Sequence, residues 1–191
     1  QKSIRELASK GYRILAVSKA NYEGNNFPKE QTIIKFEFVG VVAFEDPPKE
    51  NIKETLEAFY QAGIQVKIVT GDNAETTQAI SKEIGFKGFE DSITGAELMK
   101  LTDEELKRVV KEKQIFARMF PDAKLRIINA LKSNNEIVAM TGDGVNDGPA
   151  LKAAHIGIAM GKKGSEIAKQ SASLILVEDD LSKMVDAVSM G

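Results

Sequence analysis

The stretch Thr141–Gly161, TGDGVNDGPALKAAHIGIAMG, is the most informative part of this sequence. It follows the apolar run Ile137–Met140, and it predicts a strand, a glycine-rich turn, a helix and a second strand. Parallel strands need a crossover of this kind, usually through a helix. The turn carries two acids, Asp143 and Asp147, whose oxygens suit a hard cation such as Mg²⁺. The alternative is a Gly/Asp turn in which Asn146 or Asp147 caps the following helix.

The same alternation continues along most of the chain. Further apolar runs predict strands at Val39–Phe44, Ile64–Val69, Asp91–Thr94, Gln114–Ala117, Ile156–Met160 and Leu174–Val177. Helical spacing or capping residues predict helices from about Pro48 up to Gly63, from Asn73 to about Ile84, over Thr102–Lys111 and Pro121–Lys132, from about Asp147 to Ala154, and from Ser165 and Leu181. We therefore predict an α/β fold with a parallel sheet covered by helices on both faces, and a ligand site beyond the carboxyl ends of the strands.

The first residues of the chain follow a different pattern. A helix over Ile4–Lys10, a strand over Tyr12–Ser18 and the polar loop Asn21–Lys29 precede the regular alternation. We interpret residues 1–35 as the end of a neighbouring domain and residues 36–191 as the main domain.

Composition excludes several classes of function. The 191 residues carry 26 basic and 28 acidic side chains, a net charge of −2, which argues against a nucleic-acid partner bound mainly by electrostatics. There is no cysteine, so disulfides and thiolate metal sites are excluded. No apolar run approaches the roughly 20 residues that cross a bilayer. Because the chain begins at Gln1 rather than methionine, we expect it to be a piece of a longer protein.

Two more features lie where the carboxyl edge of the sheet is predicted. Thr70 and Gly71 follow a strand and can offer a hydroxyl and open N–H groups to a phosphate, although an ordinary turn explains them too. Lys124, in the first turns of a helix, can neutralise phosphate charge, or it is a solvated surface lysine. With Asp143 and Asp147, these residues predict a site for phosphate and Mg²⁺.

Other functional interpretations fit less well. A dinucleotide site needs a third glycine where Asp147 stands. Asp46 is a poor phosphate-accepting nucleophile, since Pro47 and Pro48 have no N–H groups to cradle phosphoryl oxygens. His155 is expected at the surface or in a satisfied position. No aspartate of the chain is clearly placed as a nucleophile.

At this point the motifs can be compared with known families. The string Thr141–Gly161 closely resembles the hinge-and-metal motif of P-type ion-pumping ATPases, which are members of the haloacid dehalogenase-like superfamily. The strings EDPPK (Glu45–Lys49), TGDN (Thr70–Asn73) and ARMFPDAK (Ala117–Lys124) agree in order and spacing. The DPPK string is most similar to the calcium-pump-like branch. The pattern departs at Gly148, usually alanine in the family, and at Phe120, where an acid is common.

The resemblance implies a role for each matching residue. Asp143 would ligate Mg²⁺, with Asp147 holding the charge and hydrogen bonds of the metal site. The transferred phosphoryl group would contact Thr70, Gly71, Lys124 and Asn146. ATP, the substrate, would be held by Arg118, Asp72 and Arg13. Asp46 would support closure of the domain on the nucleotide.

The resemblance also implies what this sequence does not contain. The phosphorylated aspartate of the family lies in a DKTGT segment, which residues 1–191 do not contain. These residues also contain no TGE-bearing actuator segment and no predicted membrane helix. Residues 1–35 would be a remnant of the nucleotide-binding domain, and residues 36–191 a haloacid-dehalogenase-like, Rossmannoid phosphorylation domain without its nucleophile strand.

We therefore expect a fragment from the cytoplasmic face of a membrane pump, inactive by itself with ATP and Mg²⁺. Its partners would be the actuator, nucleotide-binding and membrane domains of the pump and the transported cation. Two alternatives remain open: a soluble haloacid-dehalogenase-like phosphatase that has lost its N-terminus, and a non-catalytic module that binds Mg²⁺ or nucleotide.

Overall fold

A computed structural model describes residues 6–7, 10–22, 26, 28–44 and 47–190. Its strands are β1 (Arg13–Lys19), β2 (Glu37–Phe44), β3 (Ile68–Val69), β4 (Ser92–Thr94), β5 (Ile115–Ala117), β6 (Ala139–Gly142), β7 (Ile156–Met160) and β8 (Leu174–Leu176). Its helices are α1 (Ile52–Gln61), α2 (Ala74–Glu83), α3 (Gly95–Leu98), α4 (Asp103–Glu112), α5 (Pro121–Ser133), α6 (Gly148–Ala153), α7 (Glu166–Ser171) and α8 (Ser182–Met190). Short 3₁₀ turns occupy Gln31–Ile33 and Val145–Asp147.

Two parallel sheets carry the fold. In the first, β5 lies between β3 and β4, and in the second, β7 lies between β6 and β8. Helices connect the successive strands of each sheet, as parallel pairing requires. The predicted α/β fold with parallel strands and flanking helices is confirmed.

Helix α5 packs against the cores of both sheets. Ala123 and Ile127 belong to a buried cluster with Phe116 of β5, whereas Ile128 belongs to a second cluster with Met140 of β6. Because one helix contributes to both cores, the first turn of α5 has a fixed position relative to the strand ends of both sheets.

The predicted helix boundaries have the expected capping chemistry. The side chain of Asn73 accepts a hydrogen bond from the N–H of Thr76 at 2.8 Å, and Thr102 forms a capping box with Glu105. Gly85 follows α2 with a φ of 70°, which suits glycine. Across the described ranges, no helix combines the length and the apolar character needed to cross a membrane.

The prediction that Val39–Phe44 is a buried strand of the parallel sheet is wrong. Strand β2 instead pairs antiparallel with β1, and Val39 and Phe44 are 59% and 47% exposed. A continuous apolar run indicates two apolar faces, but it does not say what covers them. The predicted domain boundary after residue 35 falls between these two strands and stays a prediction. The predicted helix Ile4–Lys10 and loop Asn21–Lys29 lie partly outside the described residues.

The strands beside the expected ligand site also differ from prediction. The predicted strand Ile64–Val69 is reduced to β3, and β6 begins two residues after the predicted start at Ile137. Of the described strands, β3 pairs only with β5 and β6 only with β7, so the single predicted sheet is divided into two. A β-strand is identified by its hydrogen bonds to a neighbouring strand. Residues that have no such neighbour therefore do not count as part of a strand, even when their sequence is apolar.

Lys67 allows a test of packing beside β3. Its Nζ donates to the carbonyl oxygen of Lys113 at 2.8 Å and to Oε1 of Gln114 at 3.1 Å. Burial lowers the pKa of Lys67 from 10.5 to about 8, although the charge of Glu136 acts in the opposite direction. Between these two values the unfolded chain binds a proton that the folded chain does not, so the free energy of unfolding rises with pH.

We predict that Lys67→Met removes this pH dependence. Urea unfolding of the wild type and the variant should show the wild type gaining stability relative to the variant as the pH rises from about 8 to about 10.5. Lys82→Met, at an exposed position of α2, is the control and should keep the wild-type slope. Parallel curves for the wild type and Lys67→Met would show that Lys67 is not desolvated.

Candidate functional site

A polar cleft of about 260 Å³ lies where β3 and β6 end. It is lined by Val69, Thr70, Lys124, Thr141, Gly142, Asp143, Asp147 and Met160. These residues come from both sheets and from α5, so the cleft has the position that ligand sites take in parallel α/β folds.

The strongest interaction in the cleft is the ion pair between Lys124 and Asp147. The Nζ of Lys124 lies 2.6 Å from Oδ1 of Asp147, and the two side chains are only 12% and 10% exposed. Oδ2 of Asp147 accepts a hydrogen bond from the N–H of Gly144 at 3.1 Å. With little water between them, the two charges interact more strongly than a surface pair. The ammonium group of Lys124 is therefore held in the cleft.

Asp143 differs from Asp147 in that its carboxylate is exposed at the cleft. Among the described residues, this carboxylate has no hydrogen-bond or ion-pair partner. Its backbone is fixed, because the N–H of Ser165 donates to the carbonyl oxygen of Asp143 at 2.8 Å. A free carboxylate on a fixed backbone is well suited to hold a cation.

The donor set fits Mg²⁺ better than a metal that needs a full protein cage. No three His, Cys, Asp or Glu side chains converge on one point in the described part of the chain. Mg²⁺ is commonly bound by one or two carboxylates together with phosphate oxygens and water. Asp143 and Asp147 supply such a pair, although both oxygens of Asp147 already accept hydrogen bonds.

The turn after β3 is fastened to the end of β5. The Oγ1 of Thr70 accepts a hydrogen bond from the N–H of Asp72 at 3.1 Å, and the N–H of Met119 donates to the carbonyl oxygen of Thr70 at 2.8 Å. Arg118, whose N–H donates to the carbonyl oxygen of Asp72, has a φ of 51°. Such strain in a non-glycine residue is common at functional sites.

The structure separates the predicted site residues into two groups. Thr70, Lys124, Asp143 and Asp147 line the cleft. The other predicted residues are exposed and do not line the cleft; these are Gly71, Asp72, Arg118, Asn146 and Arg13. Arg13 approaches Asp72 at 3.9 Å, and both side chains are well exposed, so this contact contributes little to stability.

Two other residues considered in the sequence have clear outcomes. Asp46 lies outside the described residues. The Nδ1 of His155 accepts a hydrogen bond from the N–H of Val138 at 3.1 Å, so His155 has the satisfied position that was expected.

Sequence reasoning missed Thr141, Val69 and Met160 as lining residues. Thr141 could have been found, because the string TGD occurs at both Thr70–Asp72 and Thr141–Asp143 and each follows a strand. The contact of Ser165 with Asp143 joins distant parts of the chain, and no local pattern indicates it.

Gly142 is required by the packing of Asp147. A Cβ at position 142 would lie 2.7 Å from the Cβ of Asp147, too close for two carbon atoms. A Cβ at Gly144 would lie 3.4 Å from Oδ2 of Asp147, which is an ordinary contact. Because Gly142 has no Cβ, the Asp147 side chain can pack against the end of β6 and reach Lys124.

Comparison with known proteins identifies the family of the chain. The family model for haloacid dehalogenase-like hydrolases matches residues 1–155, and the chain belongs to that family. It is 36% identical over 189 residues to the calcium-transporting ATPase 1 of Saccharomyces cerevisiae and 40% identical over 193 residues to a calcium-transporting ATPase of Listeria monocytogenes. It is also 38% identical over 195 residues to a cation-transporting ATPase of Synechocystis.

These relatives are much longer than the chain. The matches cover 97–100% of the chain but only 20–22% of the relatives. These matches confirm the resemblance to cation-transporting P-type ATPases of the calcium-pump-like branch. The similarity concerns only the part of each relative that aligns with this chain.

We predict that Gly142→Ala destabilises the fold through the collision with Asp147. The expected loss is about 1–3 kcal/mol in the free energy of unfolding, as for other overpacked positions. Gly144→Ala is the matched control, since its backbone, with φ −95° and ψ 162°, suits alanine, and it should change stability by less than about 1 kcal/mol. Urea unfolding measures both, and equal effects would contradict the packing argument.

Proposed function

We propose that this chain is the phosphoryl-handling part of an ATP-driven cation pump. The observation that carries the proposal is the desolvated Lys124–Asp147 pair beside the carboxylate of Asp143, which has no partner among the described residues, where the ends of two parallel strands meet. A fixed ammonium group next to a free carboxylate suits a phosphoryl group together with a divalent cation. The sequence similarity to calcium- and cation-transporting ATPases supports the same conclusion.

Each cleft residue has a defined task in this proposal. Lys124 neutralises phosphoryl charge, and Asp147 keeps the Nζ of Lys124 in place. Thr70 offers its hydroxyl to a phosphoryl oxygen, and Gly71 and Asn146 contact the same group from the two turns beside the cleft. Asp143, with Asp147, holds Mg²⁺, which when bound offsets the negative charge that develops during phosphoryl transfer.

The nucleophile of the reaction would come from a DKTGT segment outside residues 1–191. Strand β3 and strand β6 each have one partner among the described strands, yet Val69 and Thr70 line the same cleft as Thr141 and Gly142. A strand between β3 and β6 would pair with both open edges and join the two sheets. An aspartate at the carboxyl end of that strand would enter the cleft.

ATP would be held at the rim of the cleft. Arg118 and Asp72 project from the turns beside it, and Arg13 of β1 approaches Asp72. The β1–β2 pair would therefore lie on the nucleotide side, and its first strand falls within residues 1–35, the proposed end of the nucleotide-binding domain.

In the complete pump, the chain would lie on the cytoplasmic face of a membrane. Its partners there would be the actuator, the rest of the nucleotide-binding domain and the membrane helices that bind the transported cation. Formation and hydrolysis of the aspartyl phosphate would then drive ion transport through movements of these domains.

We predict that phosphorylation requires both the DKTGT segment and Lys124. The chain extended by this segment, incubated with labelled ATP and Mg²⁺, should form an acid-stable, hydroxylamine-sensitive phosphoenzyme, whereas residues 1–191 alone should not. Lys124→Met should lower the rate of phosphorylation about 100-fold or more, as expected for loss of a fixed electrostatic group. Lys152→Met, an exposed lysine of α6, should leave the rate unchanged.

Other outcomes distinguish the alternatives. Phosphorylation of residues 1–191 alone would show that the nucleophile lies within them. Hydrolysis of small phosphate esters without ATP-dependent phosphorylation would indicate a phosphatase. Binding of Mg²⁺ without either reaction in the extended chain would indicate a non-catalytic module.

A further inference from the structure

The turn Glu178–Asp180 holds the loop that supports the cleft. Asp179 is 5% exposed, and its two carboxylate oxygens accept hydrogen bonds from the N–H groups of Lys162 and Lys163, each at 3.0 Å. The φ of Asp179 is 57°, a conformation that favours Gly, Asn and Asp. A carboxylate that accepts two adjacent backbone N–H groups holds a loop firmly.

The loop Gly161–Ser165 leads from Asp179 to Asp143. At its far end, the N–H of Ser165 donates to the carbonyl oxygen of Asp143 at 2.8 Å. The loop is tightly packed, because a Cβ at Gly161 would lie 2.7 Å from the Cα of Val177, and one at Gly164 would collide with the backbone of Met160. With so little free space, a shift at one end of the loop is transmitted to the other.

The segment before α1 contacts the same turn. The Nζ of Lys49 donates to the carbonyl oxygen of Asp179. The Nδ2 of Asn51 donates to Oδ1 of Asp180 at 3.2 Å, which also accepts the N–H of Ser182 at 3.0 Å. The stretch that joins the β1–β2 pair to the parallel sheets is therefore fastened to the turn that holds the cleft loop.

We propose that Asp179 is a positioning residue for Asp143, and that it couples the segment Pro47–Asn51 to the cation-binding carboxylate. The contacts run from Lys49 through Asp179 and the loop Gly161–Ser165 to Asp143. The coupling to cation binding rests on the proposed function, in which Asp143 holds Mg²⁺. The mechanical link to the backbone of Asp143 is independent of it.

The electrostatics of Asp179 agree with this assignment. Burial raises the pKa of its carboxyl group, but the N–H groups of Lys162, Lys163 and Gly161 and the charge of Lys49 together lower the pKa below its ordinary value. The carboxylate is thus ionised in its function as an acceptor. The carboxylate of Asp180, by contrast, accepts hydrogen bonds from Asn51 and from the first residue of α8.

The test uses the chain itself and two measurements. The first is hydrogen exchange of the Ser165 amide without Mg²⁺, and the second is the Mg²⁺ dependence of the Asp143 and Gly144 amide signals in NMR spectra. Asp179→Gly keeps the backbone conformation and removes the carboxylate, whereas Asp179→Asn keeps one acceptor oxygen. Lys49→Met removes the contact from the segment before α1, and Lys53→Met at an exposed position of α1 is its control.

Asp179→Gly should speed Ser165 exchange and weaken Mg²⁺ binding about tenfold, the usual scale for a group that supports a metal ligand. Asp179→Asn should restore part of both. Lys49→Met should act in the same direction with a smaller effect, and Lys53→Met should have none. Amides of the buried strand β5 should be unaffected, which separates this effect from general destabilisation.

Three results would each overturn one part of the inference. If Asp179→Gly exposes the amides of Lys162 and Lys163 while Ser165 exchange is unchanged, the carboxylate acts only on its own loop. If Lys49→Met matches Lys53→Met, the segment before α1 is not coupled to Asp143 through Lys49, as proposed, and this variant decides that point even if Asp179→Gly does not fold. If wild-type Asp143 signals do not respond to Mg²⁺, the cation role is wrong, while Ser165 exchange still tests the mechanical link.

Discussion

The ion pair between Lys124 and Asp147 is the constraint on which the site depends. Each partner comes from a different sheet unit, Lys124 from the helix after β5 and Asp147 from the turn after β6. Removing one partner of a desolvated pair leaves an uncompensated charge, which is strongly destabilising. The pair therefore fixes how the two strand ends meet, and it keeps a positive charge at the point where a phosphoryl group is proposed to bind.

The other features of the site follow from this contact. Gly142 leaves the space in which the Asp147 side chain reaches Lys124. Helix α5 packs against both cores, so the backbone of Lys124 has a fixed position. With Asp147 committed to Lys124, the carboxylate of Asp143 faces the cleft and has no partner within the described part of the chain. Rigid support of this kind is what a site for a strongly charged ligand requires, because binding then needs little reorganisation.

Local chemistry made much of the fold and the cleft predictable from the sequence. The cap at Asn73 and the capping box at Thr102 depend on residues three positions apart, and both were predicted. The pairing of segments that are distant in the sequence was harder to predict. The run Val39–Phe44 has the composition of a buried strand, yet its partner is β1, and only the three-dimensional structure shows the link from Asp179 to Asp143. Spacing predicts which strand ends carry chemistry, whereas long-range contacts decide which of them meet.

A double-mutant cycle on Lys124 and Asp147 measures whether this ion pair joins the two halves of the site. Unfolding free energies of Lys124→Met, Asp147→Asn and the double variant give the coupling energy between the two side chains. We predict a favourable coupling of about 1–3 kcal/mol, so that the double variant loses clearly less stability than the sum of the losses of the two single variants. Additive single effects, with a coupling near zero, would contradict the claim that this pair joins the two halves of the site.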